Sequence, residues 1–375
     1  MRGRLGRVVA GVVLAAVAVG GVGGWSAGEG QAAAVGLPGS WAESAFGVRL
    51  PEPGVTPPAG VAAFFAGLRP GQGELLAAEY PLVAGNLDGA PVELRYRANR
   101  LALTLEAAKE RARAADTRLS AGTRAEARAR AERYASLADR QVLVFDPRGR
   151  GLLAEVYGEL APGRPTAVLV PGADIDLMSY DRTSSPYGAP AGMARALREA
   201  TADRIPVIAW AGYTTPTGLS LDVATTGLAE AGATRLTSLL DGLDAPTTLY
   251  CHSYGSVVCG HAALRPGRTT AVVALGSPGM GLRHAADLPV PLWATARDPE
   301  DWIGEVPNVH LLGLGHGADP TAPTFGARVV TSTGARGHSG YFAPGTASLA
   351  NFAAIALGTP VTCTPTSKEC RDAQH

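Results

Sequence analysis

Net charge is the first thing this sequence lacks: 33 lysines and arginines balance 33 aspartates and glutamates, which leaves no electrostatic case for a nucleic-acid partner. Lysine is nearly missing as well. It occurs only at Lys109 and Lys368, and every other basic residue is arginine. With alanine and glycine abundant, this reads as the codon usage of a GC-rich genome and strips arginine counts of functional meaning. Cysteine is scarce, four residues in all, and no Cys/His spacing resembles a zinc site. The reading therefore calls for no metal and no organic cofactor. No internal repeat is visible, which removes repeat architectures.

What is present describes a globular chain, 46% hydrophobic and 18% charged, whose 375 residues suit one main domain with N-terminal additions. Arg2, Arg4 and Arg7 precede 21 uncharged residues from Val8 to Gly28. A basic flank followed by an apolar run predicts an export segment over 1–28, either a cleaved signal peptide or a retained membrane anchor, since about 20 residues span a bilayer. Positive charge on the N-terminal side predicts an extracytoplasmic location for the rest, with the membrane as a partner. Residues 29–90 follow as a Pro/Gly-rich linker and N-terminal segment, with Pro51, Pro53, Pro57 and Pro58 close together. The last residues, 359–375, form a polar tail in which Cys363 and Cys370 form a disulfide or stay as free thiols. Cys251 and Cys259 read as buried small side chains.

A helical hairpin is expected over 91–140. Leu101, Leu105, Ala108, Ala112, Ala115 and Leu119 recur at steps of three and four, giving a narrow apolar face. Thr123 and Glu126 form a capping-box pattern for the second helix. The twelve basic residues against six acidic ones from Arg95 to Arg140 read as a solvated helix face. From Gln141 the pattern becomes short apolar runs alternating with helical segments, at 142–145, 167–170, 206–210, 247–251, 271–275, 291–295 and 309–313. That alternation predicts an α/β domain over 141–358, a mostly parallel sheet covered by helices.

Ser-X-Gly occurs at Ser26, Ser120, Ser253, Ser277 and Ser332. Position separates them. A hydrolytic serine sits on a tight strand-to-helix turn, and the residue after it must donate its backbone N–H to an oxyanion. Ser277 precedes Pro278, which has no N–H. Ser253, in Cys251-His252-Ser253-Tyr254-Gly255, follows an apolar run and precedes an apolar helix, so it is the candidate nucleophile. Cys251 stands where the pattern usually has glycine.

A serine hydroxyl needs a base and the base needs a carboxylate, in the chain order Ser, Asp or Glu, His. His338 precedes a closing helix expected over Ala347 to Leu357 and is the favoured base; His316, which follows the run 309–313, is the alternative. Asp301, beyond the run 291–295, is the favoured acid, with Trp302 and Ile303 packing its loop; Asp298 is the alternative. For the oxyanion, the amide of Tyr254 pairs with that of Ala173 or Asp174, in the glycine-containing loop after the run 167–170.

These residues together resemble a family of uncharacterised bacterial α/β-hydrolase-like proteins, many of them membrane-anchored or secreted. The matching stretches are Tyr96 to Arg100, Val168 to Gly172, Trp210 to Tyr213, His252 to Gly255, Asp301 to Ile303, His316 to Pro320 and Gly337 to Tyr341. The resemblance implies an α/β-hydrolase fold and the assignment of Ser253, Asp301 and His338, and it places the His316-Gly317 loop near the site. It implies no substrate. The sequence itself points to a small-molecule or lipid ester. The alternative is a non-catalytic envelope-associated binding or scaffold protein that keeps the fold.

Overall fold

The computed structural model describes residues 41, 50–218, 220–306 and 315–373. The export segment at 1–28 and the expected strand at 309–313 lie outside the described residues. Among the described residues no helix is long and apolar enough to cross a membrane.

Within 29–90, read from sequence as a Pro/Gly-rich linker and N-terminal segment, the chain is helical from Pro58 onward. Helices α1 (Pro58–Ala66), α2 (Gln72–Glu79) and the single turn α3 (Pro81–Ala84) pack Val61, Phe65, Leu76 and Val83 into a small core with Trp41 and Leu50. Pro58 and Pro81 open α1 and α3, where the missing N–H costs nothing. The hairpin follows as α4 (Val92–Ala115) and α5 (Ala121–Leu137). Ser120, not Thr123, caps the second helix by accepting from the Thr123 amide at 3.1 Å.

The buried face of α4 is also not the one the apolar spacing predicted. Leu105 is 52% exposed, while Leu94, Arg95, Ala98, Asn99, Ala102, Leu103, Ala107 and Glu110 are buried. Arg95 and Asn99 tolerate burial because backbone carbonyls accept their protons: Arg95 donates to Gly85 and Leu143, and Asn99 to Gly85 and Val142, at 3.0 to 3.2 Å.

The Val142 and Leu143 carbonyls belong to an edge of the sheet. The sheet among the described residues has eight strands: β1 (Val142–Asp146), β2 (Leu152–Tyr157), β3 (Thr166–Val170), β4 (Val207–Ala211), β5 (Thr247–His252), β6 (Thr269–Leu275), β7 (Leu292–Thr295) and β8 (Arg328–Val330). Their order is β1-β2-β4-β3-β5-β6-β7-β8, antiparallel at β1/β2 and β2/β4 and parallel from there on. Strands β1 and β3 to β7 are apolar runs read from sequence. β2 was not, because Glu155 interrupts its pattern; the carboxylate is buried but accepts from the Tyr157 hydroxyl at 2.8 Å.

Helix α6 (Pro190–Ala200) lies on one face of the sheet with the hairpin and the closing helix at Ala347–Leu357, around Phe145, Leu169, Tyr250 and Phe352. The other face carries the short α7 (Leu221–Ala224), then α8 (Gly227–Gly242) and α9 (Tyr254–His261); α8 and α9 pack over Val168, Ile208, Leu249 and Val272. The chain closes with α10 (Ala347–Leu357) and α11 (Lys368–Asp372). Parallel strands all point their carboxyl ends one way, so the loops after β3, β5, β6, β7 and β8 gather at one rim.

Candidate active site

At that rim Ser253 joins β5 to α9 with φ 54° and ψ −129°. Only a few non-glycine residues here have positive φ, and for an L-residue this backbone costs about 1–3 kcal/mol. Surrounding bonds hold it: the Ser253 amide donates to Leu275 at 2.9 Å, and its carbonyl accepts from the amide and the hydroxyl of Ser256 at 2.9 and 2.7 Å. The side chain of Ser253 lies close against the loop after β3. A Cβ on Gly172 would fall 3.0 Å from Ser253 Oγ and 2.5 Å from its Cβ, so only glycine lets that loop pass so close.

Cys251, in place of the usual glycine, is not a free buried thiol. It is disulfide-bonded to Cys259 on α9, tying the strand before the turn to the helix after it, and both cysteines are fully buried. Cys363 and Cys370 form the second disulfide.

Asp301 and His338 meet at 2.8 Å, imidazole Nδ1–H donating to Oδ1. The Ile303 amide also donates to Oδ1, at 3.0 Å, and the Tyr341 hydroxyl donates to Oδ2 at 2.7 Å. Burial alone would raise the carboxyl's pKa, but these donors outweigh it and hold Asp301 below the ordinary carboxylate range. Because Nδ1 carries its proton, Nε2 of His338 is left as the basic nitrogen. The Tyr341 hydroxyl is pushed up, by burial first and by the adjacent carboxylate second, so it remains a donor.

Gly276 connects the two halves. Its preceding carbonyl, Leu275, takes the Ser253 amide, and a Cβ on Gly276 would lie 3.1 Å from Cε1 and Nδ1 of His338 and 3.3 Å from Asp301 Oδ2. Ser253 and the Asp301–His338 pair thus flank one peptide at the end of β6.

The other candidates have different employment. Asp298 Oδ1 accepts from the amides of Glu300 and Gly337 at 3.0 and 2.9 Å, fastening the loop after β7 to the loop that carries His338. His316 donates from Nε2 to the Val223 carbonyl at 2.6 Å, lies edge-on to Tyr254, and accepts at its own carbonyl from Gly281. It lies beside the elbow, against Tyr254. Ser277, excluded by its proline, exchanges a hydrogen bond with Ser256 at 2.7 Å beneath the elbow. The Asp174 amide donates to Pro216 at 2.9 Å and its carboxylate accepts from Gly218, so of the two amides named in that loop only Ala173 is not spent on this neighbouring loop. Tyr254 begins α9, where amides have no intrahelical acceptor.

Three residues of the site escaped the sequence reading. Tyr341 was quoted without a role, since a tyrosine in a loop gives no sign of its carboxylate partner. Trp302 was expected to pack its loop, but only Ile303 is buried; Trp302 is 40% exposed with its ring 4.8 Å from that of His338. His252 has no role in the sequence reading, yet its Nε2 lies 2.8 Å from the His338 carbonyl.

Residues 146–311 match the family model described as alpha/beta hydrolase. An uncharacterized protein of Mycobacterium tuberculosis is 27% identical over 374 aligned residues, which cover 83% of this chain and 57% of that protein. The chain therefore spans little more than half the length of that relative. An uncharacterized protein of Mycobacterium bovis is 38% identical over 132 residues, 33% of this chain and 44% of its own. The crystal structure of the 2,6-dihydroxy-pseudo-oxynicotine hydrolase overlaps 78% of this chain and 87% of its own, with a TM-score of 0.36 and 13% identity.

Proposed function

We propose, from the match of residues 146–311 to the alpha/beta hydrolase family model, that this chain is a serine-dependent hydrolase acting on an ester or related acyl bond. The observation that carries the reading is the strained Ser253 turn beside an Asp301–His338 pair whose tautomer is fixed. Strain of this kind persists only where surrounding structure imposes it, and here it falls beside the Leu275–Gly276 peptide that the Asp301–His338 pair also adjoins.

In this reading His338 Nε2 takes the Ser253 proton as Oγ attacks the acyl carbon. Asp301 stabilises the imidazolium that results, and Tyr341 and Ile303 keep that carboxylate charged and aimed. The Tyr254 and Ala173 amides stabilise the tetrahedral oxyanion. His338 then returns the proton to the leaving group, and water repeats the sequence to free the acid. The substrate is a small-molecule or lipid ester. The compartment is extracytoplasmic: two disulfides suit an oxidising exterior, as does the basic and apolar start of the chain.

Turnover of a panel of chromogenic esters tests the choice of base. His338→Ala is expected to lower kcat at least about 10³-fold, while His316→Ala keeps turnover within about tenfold. If only His316→Ala abolishes turnover, the assignment of the base is wrong. If folded wild-type protein turns over no ester, the non-catalytic reading of the fold gains.

A further inference from the structure

His252 has no step in the chemistry described above, yet it touches both halves of the site. It is the last residue of β5, directly before Ser253, and is buried. Its Nε2–H donates to the main-chain carbonyl of His338 at 2.8 Å, and the two imidazole rings lie 4.7 Å apart, tilted by 39°. Donation to a carbonyl requires a proton on Nε2. Burial keeps the ring neutral, its pKa pushed down to about 3, and neighbouring His338 acts in the same direction.

His338 occupies a loop between β8 and α10, outside any helix or strand. Asp301 fixes the direction of its ring, but Asp301 hangs from the loop after β7, and β6 separates β7 from the strand that carries Ser253. Orientation of the base therefore does not by itself set its distance from the nucleophile. His252 supplies a direct tie across that gap, from the residue adjoining Ser253 to the backbone of His338. Its neutrality matters there as well, because His338 becomes cationic when it takes the serine proton, and a second cation against it would oppose that step.

We propose that His252 is a positioning residue: its ring fastens the main chain of His338 to the nucleophile strand and so sets the separation of nucleophile and base. This rests on the assignment of Ser253 and His338 proposed above. Misplacement of a catalytic group by about 1 Å can cost about 10²-fold in rate, so losing the tie should be visible in chemistry more than in binding.

The test measures the second-order rate of labelling by a fluorophosphonate probe, with kcat and KM for a chromogenic ester, in wild type, Ser253→Ala, His252→Phe and His252→Gln. Near-ultraviolet circular dichroism verifies that each is folded. His252→Phe keeps a ring but loses the donor; labelling and kcat should fall at least tenfold, toward about 10²-fold, with KM unchanged. His252→Gln restores an N–H of similar reach and should recover labelling to within about threefold of wild type. If the phenylalanine variant does not fold, His252→Leu takes its place in the same comparison. Labelling that disappears in Ser253→Ala but is unchanged in the donor-less variant overturns the positioning role alone, as does a glutamine variant no faster than phenylalanine. Failure of wild type to label overturns the hydrolase reading and this inference with it.

Discussion

Single residues at the site show how burial and hydrogen bonding divide the work among similar side chains. Burial lowers the pKa of His252 to about 3 from the ordinary histidine value of 6.5. The unfolded chain takes up a proton as pH falls through about 6.5, while the folded chain does not until about 3, so folding is favoured above that window and loses stability within it. Between about pH 7.5 and pH 5 the loss attributable to this group is about 2 kcal/mol. His252→Gln should flatten the dependence of Tm on pH over that range; an unchanged slope would assign the dependence to other groups. Tyr341→Phe removes one charge-assisted donor from Asp301 and should lower kcat about tenfold with KM unchanged, in line with the usual strength of such bonds. The strand-to-helix turn at Ser253 was legible because such a turn has a strict local setting, and Asp301 and His338, named together from sequence, are hydrogen-bonded in the structure. Tyr341 and His252 were not legible, because their partners are 40 and 86 residues away and a hydrogen bond leaves no periodicity in sequence.

At the scale of elements, the turn at Ser253 depends on β5 and α9 keeping their relation. The Cys251–Cys259 bridge spans that turn, and its substitution for the expected glycine makes sense once the partner on α9 is known. Replacing both cysteines by alanine should destabilise the fold by about 2–3 kcal/mol, measured by urea denaturation, and should also slow labelling at Ser253. A double variant as stable as wild type would mean that helix packing alone holds the elbow. Strands β3 to β7 were readable as uninterrupted apolar runs because parallel strands here are covered on both faces. The orientation of α4 was misread for the opposite reason. Its buried face carries Arg95, Asn99 and Glu110, polar residues that no apolar periodicity can reveal.

Across the whole molecule both edges of the sheet are closed by chain from outside the hydrolase core. At β1, Asn86 exchanges hydrogen bonds with both backbone groups of Phe145, and Arg95 and Asn99 take the Leu143 and Val142 carbonyls. At β8, the tail pairs Thr331 with Thr362 and Thr364 with Val329, and Ser367 accepts from the Val329 amide. Open edges invite pairing between molecules, so these segments protect the fold from association. Asn99→Leu removes the side-chain donor to the Val142 carbonyl, while Arg95 still serves Gly85, and should cost about 1–3 kcal/mol, with dimers or larger species appearing by light scattering. A monomer of wild-type stability would remove the edge-closing role.

The central claim is that this scaffold exists to present Ser253 to a base. Intact-mass analysis after treatment with a fluorophosphonate, followed by peptide mapping, tests it directly. One adduct is expected, on the peptide containing Ser253, absent from Ser253→Ala and strongly reduced in His338→Ala. Folded wild-type protein that takes up no adduct, or a Ser253→Ala variant that takes up as much as wild type, would contradict it.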